Sequence, residues 1–139
     1  MNEELHLAMD FGVYPCITFP GCAEEAVNYY VSIFPESKIE TVTYFQKNER
    51  GIEGKIKHLH FNIMGNSFIA FDMDSLECPT LNWSISFYIH CNDEAMFDSI
   101  FEKLAVDGEV LMGPEALGNL RKASWITDKF GVTWQVIWE

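Results

Sequence analysis

His58 and His60 stand two residues apart, and Asn62 follows at the same spacing. In an extended stretch all three side chains share one face, because strand side chains alternate. Imidazole donates, accepts or ligates a metal near neutral pH. The pair therefore has three readings: the hydrogen-bonding or proton-relay edge of a cavity, a metal pair short of a third donor, or two histidines on a solvent-facing strand. The closing run "DKFGVTWQVIWE" alternates in the same way. Trp134, Val136 and Trp138 fall on a core face, and Thr133, Gln135 and Ile137 fall on the other. An amide in the middle of that second face marks a surface position or a cavity wall. Ser84, Ser86 and Tyr88 make a further polar stripe beside apolar Ile85, Phe87 and Ile89, which suits a wet pocket or an edge strand. Cys16 is a candidate nucleophile, but no strand-to-helix elbow or neighbouring base accompanies it, and a small half-buried thiol is the simpler reading. Trp125 offers a ring to stack on a ligand, while Trp134 reads as core. "GPEALGNLRK", with the cations Arg121 and Lys122, is either a lid over an anionic ligand or a solvated connector.

The elements that must position these residues come in a repeated order. Residues 14–19 alternate as a strand: Tyr14, Cys16 and Thr18 against Pro15, Ile17 and Phe19. A helix follows from Gly21, with an apolar stripe of Ala23, Ala26, Val27, Tyr30, Ile33 and Phe34, acidic Glu24 and Glu25 in its first turn, and Pro35 at its end. Strands are expected over 38–45, 56–64 and 67–72, the last two joined at Gly65-Asn66. The order then recurs. A strand over 84–91 leads into a helix that Asn92 can cap, with a stripe of Phe97, Ile100, Phe101 and Leu104 and a stop at Asp107-Gly108. Strands over 109–112, 123–127 and 133–138 complete it. "YPCITF" and "SISFYI" lie seventy positions apart, which pairs Tyr14 with Ser84, and Gly65 matches Gly131. The chain thus reads as an N-terminal arm (1–13), a first βαβββ module (14–73), a linker (74–83) and a second module (84–139) within one structural domain.

Composition narrows the partners. Of 139 residues, 48% are apolar and eleven are Phe, enough for a substantial core, while a net charge of −12 disfavours nucleic acid and anionic membrane surfaces. No apolar run approaches the ~20 residues of a membrane span. No basic segment followed by an apolar one opens the chain, and Cys16, Cys22, Cys78 and Cys91 form no CxxC pair. Reduced thiols in the cytoplasm are the expectation.

Two βαβββ modules of this size, with "ITFPGCAEEAVNYYVSIFPESKI", "GKIKHLHFNIMGNSFIAFD" and "RKASWITDKFGVTWQVI", resemble the PhnB-like branch of the vicinal oxygen chelate superfamily. That superfamily holds glyoxalase I and the bleomycin- and fosfomycin-resistance proteins, and the branch is often labelled 3-demethylubiquinone 3-methyltransferase-like. The resemblance implies an α+β fold in which curled mixed sheets enclose a concave ligand cavity, with helices on the convex side. It places the superfamily's metal-ligand positions at Tyr14, Ile69, Ser84 and Gln135, where relatives carry histidine and glutamate. A phenol, an alkyl group, a hydroxyl and an amide make a poor divalent site, so no metal and no cofactor are expected. The ligand-binding set is Tyr14, Cys16, His58, His60, Ser84, Ser86, Tyr88, Trp125 and Gln135. The function expected is binding of a small molecule of unidentified chemistry. The alternative is a metal-dependent enzyme of isomerase, lyase or dioxygenase type. Methyl transfer finds no Gly-rich turn to hold its donor. Modules pair within one chain or between subunits, and a homodimer is expected, with Leu5, Leu7, Met9 and Phe11 of the arm available to cross an interface.

Overall fold

The computed structural model describes residues 9–139. Of the arm residues, Leu5 and Leu7 lie outside that range, and Phe11 is fully exposed. The chain divides into two compact units with the boundary between Pro79 and Thr80. Each is an open four-stranded mixed sheet with one helix.

In the first unit, β1 (Cys16–Phe19) leads into α1 (Ala23–Ile33), followed by β2 (Lys38–Tyr44), β3 (Ile56–Ile63) and β4 (Asn66–Asp72). The sheet order is β1-β4-β3-β2, with β1 parallel to β4 and the other pairs antiparallel. Ala23, Ala26, Val27, Tyr30 and Ile33 bury one stripe of α1, and Phe19, Leu59, Phe61 and Ala70 are fully buried in the sheet. The first turn of α1 has no cap from its own sequence neighbours. The buried Asp72 supplies one, accepting from Ala23 N at 2.8 Å and from Ile56 N at 2.9 Å. One carboxylate thus fixes the helix start against the start of β3. Phe34 turns extended, and Pro35 follows.

The second unit repeats the order: β5 (Phe87–Cys91), α2 (Glu94–Ala105), β6 (Glu109–Leu117), β7 (Leu120–Thr127) and β8 (Thr133–Trp138), arranged β5-β8-β7-β6. Asp93, not Asn92, caps α2, accepting from Met96 N at 2.8 Å. Both residues are good caps, so the sequence alone did not separate them. The core is built on Trp134, Val136, Ile126, Phe97, Ile100 and Leu104, all essentially inaccessible.

Two expectations change. "GPEALGNLRK" is neither lid nor loose connector: β6 and β7 run through it and turn at Gly118-Asn119. β6 is an edge strand with interrupted register, where a Gly-Pro pair is tolerated. Gly113 sits there at φ 81°, and a Cβ would lie 2.1 Å from the Ala123 carbonyl oxygen, so no other residue fits. The strand expected from residue 84 begins only at Phe87, and Ile85, read as core, is 71% exposed.

Candidate functional site

The face of the first sheet opposite α1 carries Cys16, Thr18, Ser67, Ile69, His58, His60 and Asn62. The residues that alternate with them, such as Ile17, Leu59, Phe61 and Ala70, are buried. Register makes a row across the sheet: Cys16 beside Ile69, Ile69 beside His60, His60 beside Thr41. His60 is 9% exposed, and its Nε2 lies 3.1 Å from Ser67 Oγ. Ser67 donates in turn to Asn62 Oδ1 at 3.4 Å, and Asn62 Nδ2 donates to the Glu40 carboxylate. Tyr14 sets its ring edge-to-face against His60, centroids 6.4 Å apart. Cys16 lies on an exposed edge strand, yet partial desolvation of its thiol pushes its pKa above the ordinary value. A raised thiol pKa disfavours the thiolate that a nucleophile requires.

In the second unit the corresponding row is Tyr88, Gln135, Trp125 and Met112. Gln135 Nε2 donates to Ser86 Oγ at 2.9 Å. With Ile69 and Gln135 taken as equivalent after their glycine turns, Cys16 corresponds to Tyr88 and Tyr14 to Ser86. The equivalence of Tyr14 with Ser84 is thereby corrected by two residues. Ser84 is exposed, and its backbone N–H is taken by the Asn82 side chain. Tyr88 is 58% exposed. Trp125 packs edge-to-face on Trp83 at 5.5 Å, and its Nε1 is buried with no hydrogen-bond partner. The structure therefore brings Ser86 and Gln135 together, and separately Tyr14 and His60. It leaves Ser84 apart from both.

The positions implied for a metal do not fit one. The first unit offers Tyr14 and Ile69, the second Ser86 and Gln135, and neither pair contains an imidazole or a carboxylate. Among the described residues no three His, Cys, Asp or Glu side chains cluster as a metal site would require. The cations that a lid would have carried over a ligand are engaged elsewhere: Arg121 stacks on Trp138 at 5.0 Å, and Lys122 bridges Glu94 and Asp98 of α2 at 2.9 and 2.8 Å.

Sequence reasoning missed Glu40 and Ser67, which join the His60 chain only through the irregular β2–β3 register and the β3–β4 pairing. It also missed a cleft of about 430 Å³ in the first unit, lined by Phe45, Arg50, Ile52, Lys55, Phe71 and Met73 among others. None of the nine expected ligand-binding residues lines that cleft.

The sequence profile of the 3-demethylubiquinone-9 3-methyltransferase family matches residues 12–137. Among solved structures, a PhnB protein from Bacillus cereus is 33% identical with a TM-score of 0.87, covering 93% of this chain and 100% of its own. The glyoxylase/bleomycin resistance protein/dioxygenase domain from Frankia sp. aligns at 11% identity and TM-score 0.60, covering 94% and 98%. The fosfomycin resistance protein FosX from Listeria monocytogenes, complexed with Mn(II) and sulfate, aligns at 13% identity and TM-score 0.61, covering 94% of each chain. These last two share the fold. No curated protein matches the sequence.

Proposed function

The chain belongs to the 3-demethylubiquinone-9 3-methyltransferase family, in the PhnB-like branch of the vicinal oxygen chelate superfamily, and from that premise we propose that it binds a small molecule through neutral hydrogen-bonding groups rather than through a divalent metal. The observation that carries this reading is the Gln135–Ser86 pair at the position where metal-binding relatives place a carboxylate. The amide keeps the shape and hydrogen-bonding reach of glutamate without its charge, and Ser86, accepting from Gln135, keeps its own proton to donate. Gln135 Oε1 takes no partner among the described residues and is available to a ligand donor. Trp125, with its unsatisfied indole N–H, and the Tyr14–His60 pair extend the same neutral chemistry.

A metal-dependent enzyme is the second reading. In its favour is the shared fold with a FosX that holds Mn(II), and against it is the donor set. Methyl transfer, which the family's name describes, lacks a Gly-rich turn for the methyl donor in this sequence. No helix among the described residues is long and apolar enough to cross a membrane. A cytoplasmic location is part of the proposal, supported by Cys16, Cys22, Cys78 and Cys91 all being free thiols. A homodimer is proposed with it, on the exposed apolar side chains Phe11, Val13, Trp83 and Ile85.

Thermal-shift and calorimetric screening with quinones, phosphonates, glycopeptides and S-adenosylmethionine tests the reading. A neutral metabolite that raises the melting temperature in wild type and loses tenfold or more affinity in Gln135→Leu is the expected result. Stabilisation by S-adenosylmethionine alone overturns it in favour of methyl transfer.

A further inference from the structure

The Glu40–Asn62–Ser67–His60 chain has a direction fixed at one end. A carboxylate only accepts, so Asn62 must turn its Nδ2 toward Glu40 and therefore its Oδ1 toward Ser67. Two facing oxygens need a hydrogen between them, and of that pair only the Ser67 hydroxyl has one. With that proton spent on Asn62, Ser67 Oγ can only accept from His60 Nε2, 3.1 Å away. His60 Nε2 must therefore carry a hydrogen. In the neutral imidazole the proton is then absent from Nδ1, which takes no partner among the described residues.

We propose that this relay locks His60 as its Nε2–H tautomer and makes Nδ1 the acceptor for an O–H group on a small ligand, with a hydroxyl-bearing aromatic or enol as the class it fits. The Tyr14 ring lies edge-to-face with the imidazole, and Ile69 is its register neighbour, so the imidazole has apolar neighbours, which favour a planar, apolar ligand body. Glu40 is a positioning residue here and His60 the ligand-contacting one. The assignment rests on the small-molecule reading above, but its first half concerns the free protein and is tested without any ligand.

The experiment is heteronuclear NMR on full-length protein labelled at the histidine ring nitrogens, with His60→Gln identifying the His60 signals. Wild type is expected to show one pyrrole-type nitrogen, Nε2, and one pyridine-type nitrogen, Nδ1. Glu40→Gln, a change at a partly exposed side chain that also faces Lys38, lets the Asn62 amide face either way and is expected to average the two signals. Ser67→Ala is a second route to the same loss. A wild-type Nδ1–H tautomer, or a pattern unchanged in both variants, overturns the relay. Titration with phenol then tests the acceptor: the wild-type Nδ1 signal is expected to move upfield by several ppm, as a pyridine-type nitrogen does on accepting a hydrogen bond. An Nε2–H tautomer whose Nδ1 signal stays fixed at saturating phenol overturns the ligand role of His60. Binding through Gln135 would be judged separately, by the metabolite screen.

Discussion

The two units follow one plan and differ where their sheets turn away from the helices. On the helix side both use a buried aspartate as a clasp. Asp72 joins the start of α1 to the start of β3. Asp128 gathers Phe130 N at 2.8 Å, Val132 N at 3.2 Å and the Trp134 indole N–H at 2.8 Å. On the other side the equivalent rows share no chemistry: Cys16, Ile69, His60 and Thr41 in the first unit, Tyr88, Gln135, Trp125 and Met112 in the second. The first row is backed by a relay that ends in a carboxylate. The second is backed by a single amide–hydroxyl bond between aromatic side chains. A buried carboxylate has to be fully hydrogen-bonded or the fold loses stability. The faces away from the helices carry no such demand, so their residue types answer to what they meet.

The largest effects should separate the two clasps. Asp128→Ala strands three donors, two of them fully interior, and is expected to cost about 3–5 kcal/mol in urea denaturation. Asp72→Ala strands two and is expected to cost about 2–3 kcal/mol by the same measure. Equal losses would show that the second unit does not depend more heavily on its clasp. Next come the indoles of the second unit. Trp134→Phe removes a donor from the Asp128 carboxylate and is expected to cost about 1.5–3 kcal/mol. Trp125→Phe removes a buried N–H that has no partner and should leave stability within about 1 kcal/mol of wild type, or raise it. A large loss at Trp125 would reveal a structural bond to its indole. The smallest contrast concerns thiols. Burial, helped by Asp93, pushes Cys91 up to about 11, and desolvation raises Cys16 by less. Iodoacetamide should therefore alkylate Cys16 before Cys91, with both rates still rising as pH passes the ordinary thiol value of 9.0. Rapid labelling of Cys16 at neutral pH would mark an activated thiolate and restore it as a nucleophile.

Much of the plan was legible in the chain. The strand alternation in "DKFGVTWQVIWE" put Gln135 opposite the Trp134 face, and the apolar stripes of α1 and α2 announced both helices. The pairing of Ser86 with Gln135 was not legible, for a physical reason. A strand slipped by one residue exchanges its faces and declares itself, but a slip of two keeps every side chain on its face. Periodicity therefore could not choose between Ser84 and Ser86; only the β5–β8 register does. The β6–β7 hairpin was hidden because glycine and proline signal loops, although an irregular edge strand accommodates both. Glu40 was passed over because an alternating acid on a polar strand looks solvated. Its bond to Asn62 exists only once β2 and β3 pair around an irregularity at Ile39 and Thr41.

On the proposed function, neutral hydrogen-bonding groups stand where metal-binding relatives carry their ligands. Metal analysis of protein purified without chelators, then equilibrated with excess Mn²⁺ or Zn²⁺ and freed of unbound ion, tests it most directly. Well under one ion per chain is expected, with no change when Gln135 is replaced by leucine. One tightly held ion per chain, lost in Gln135→Leu, would contradict it.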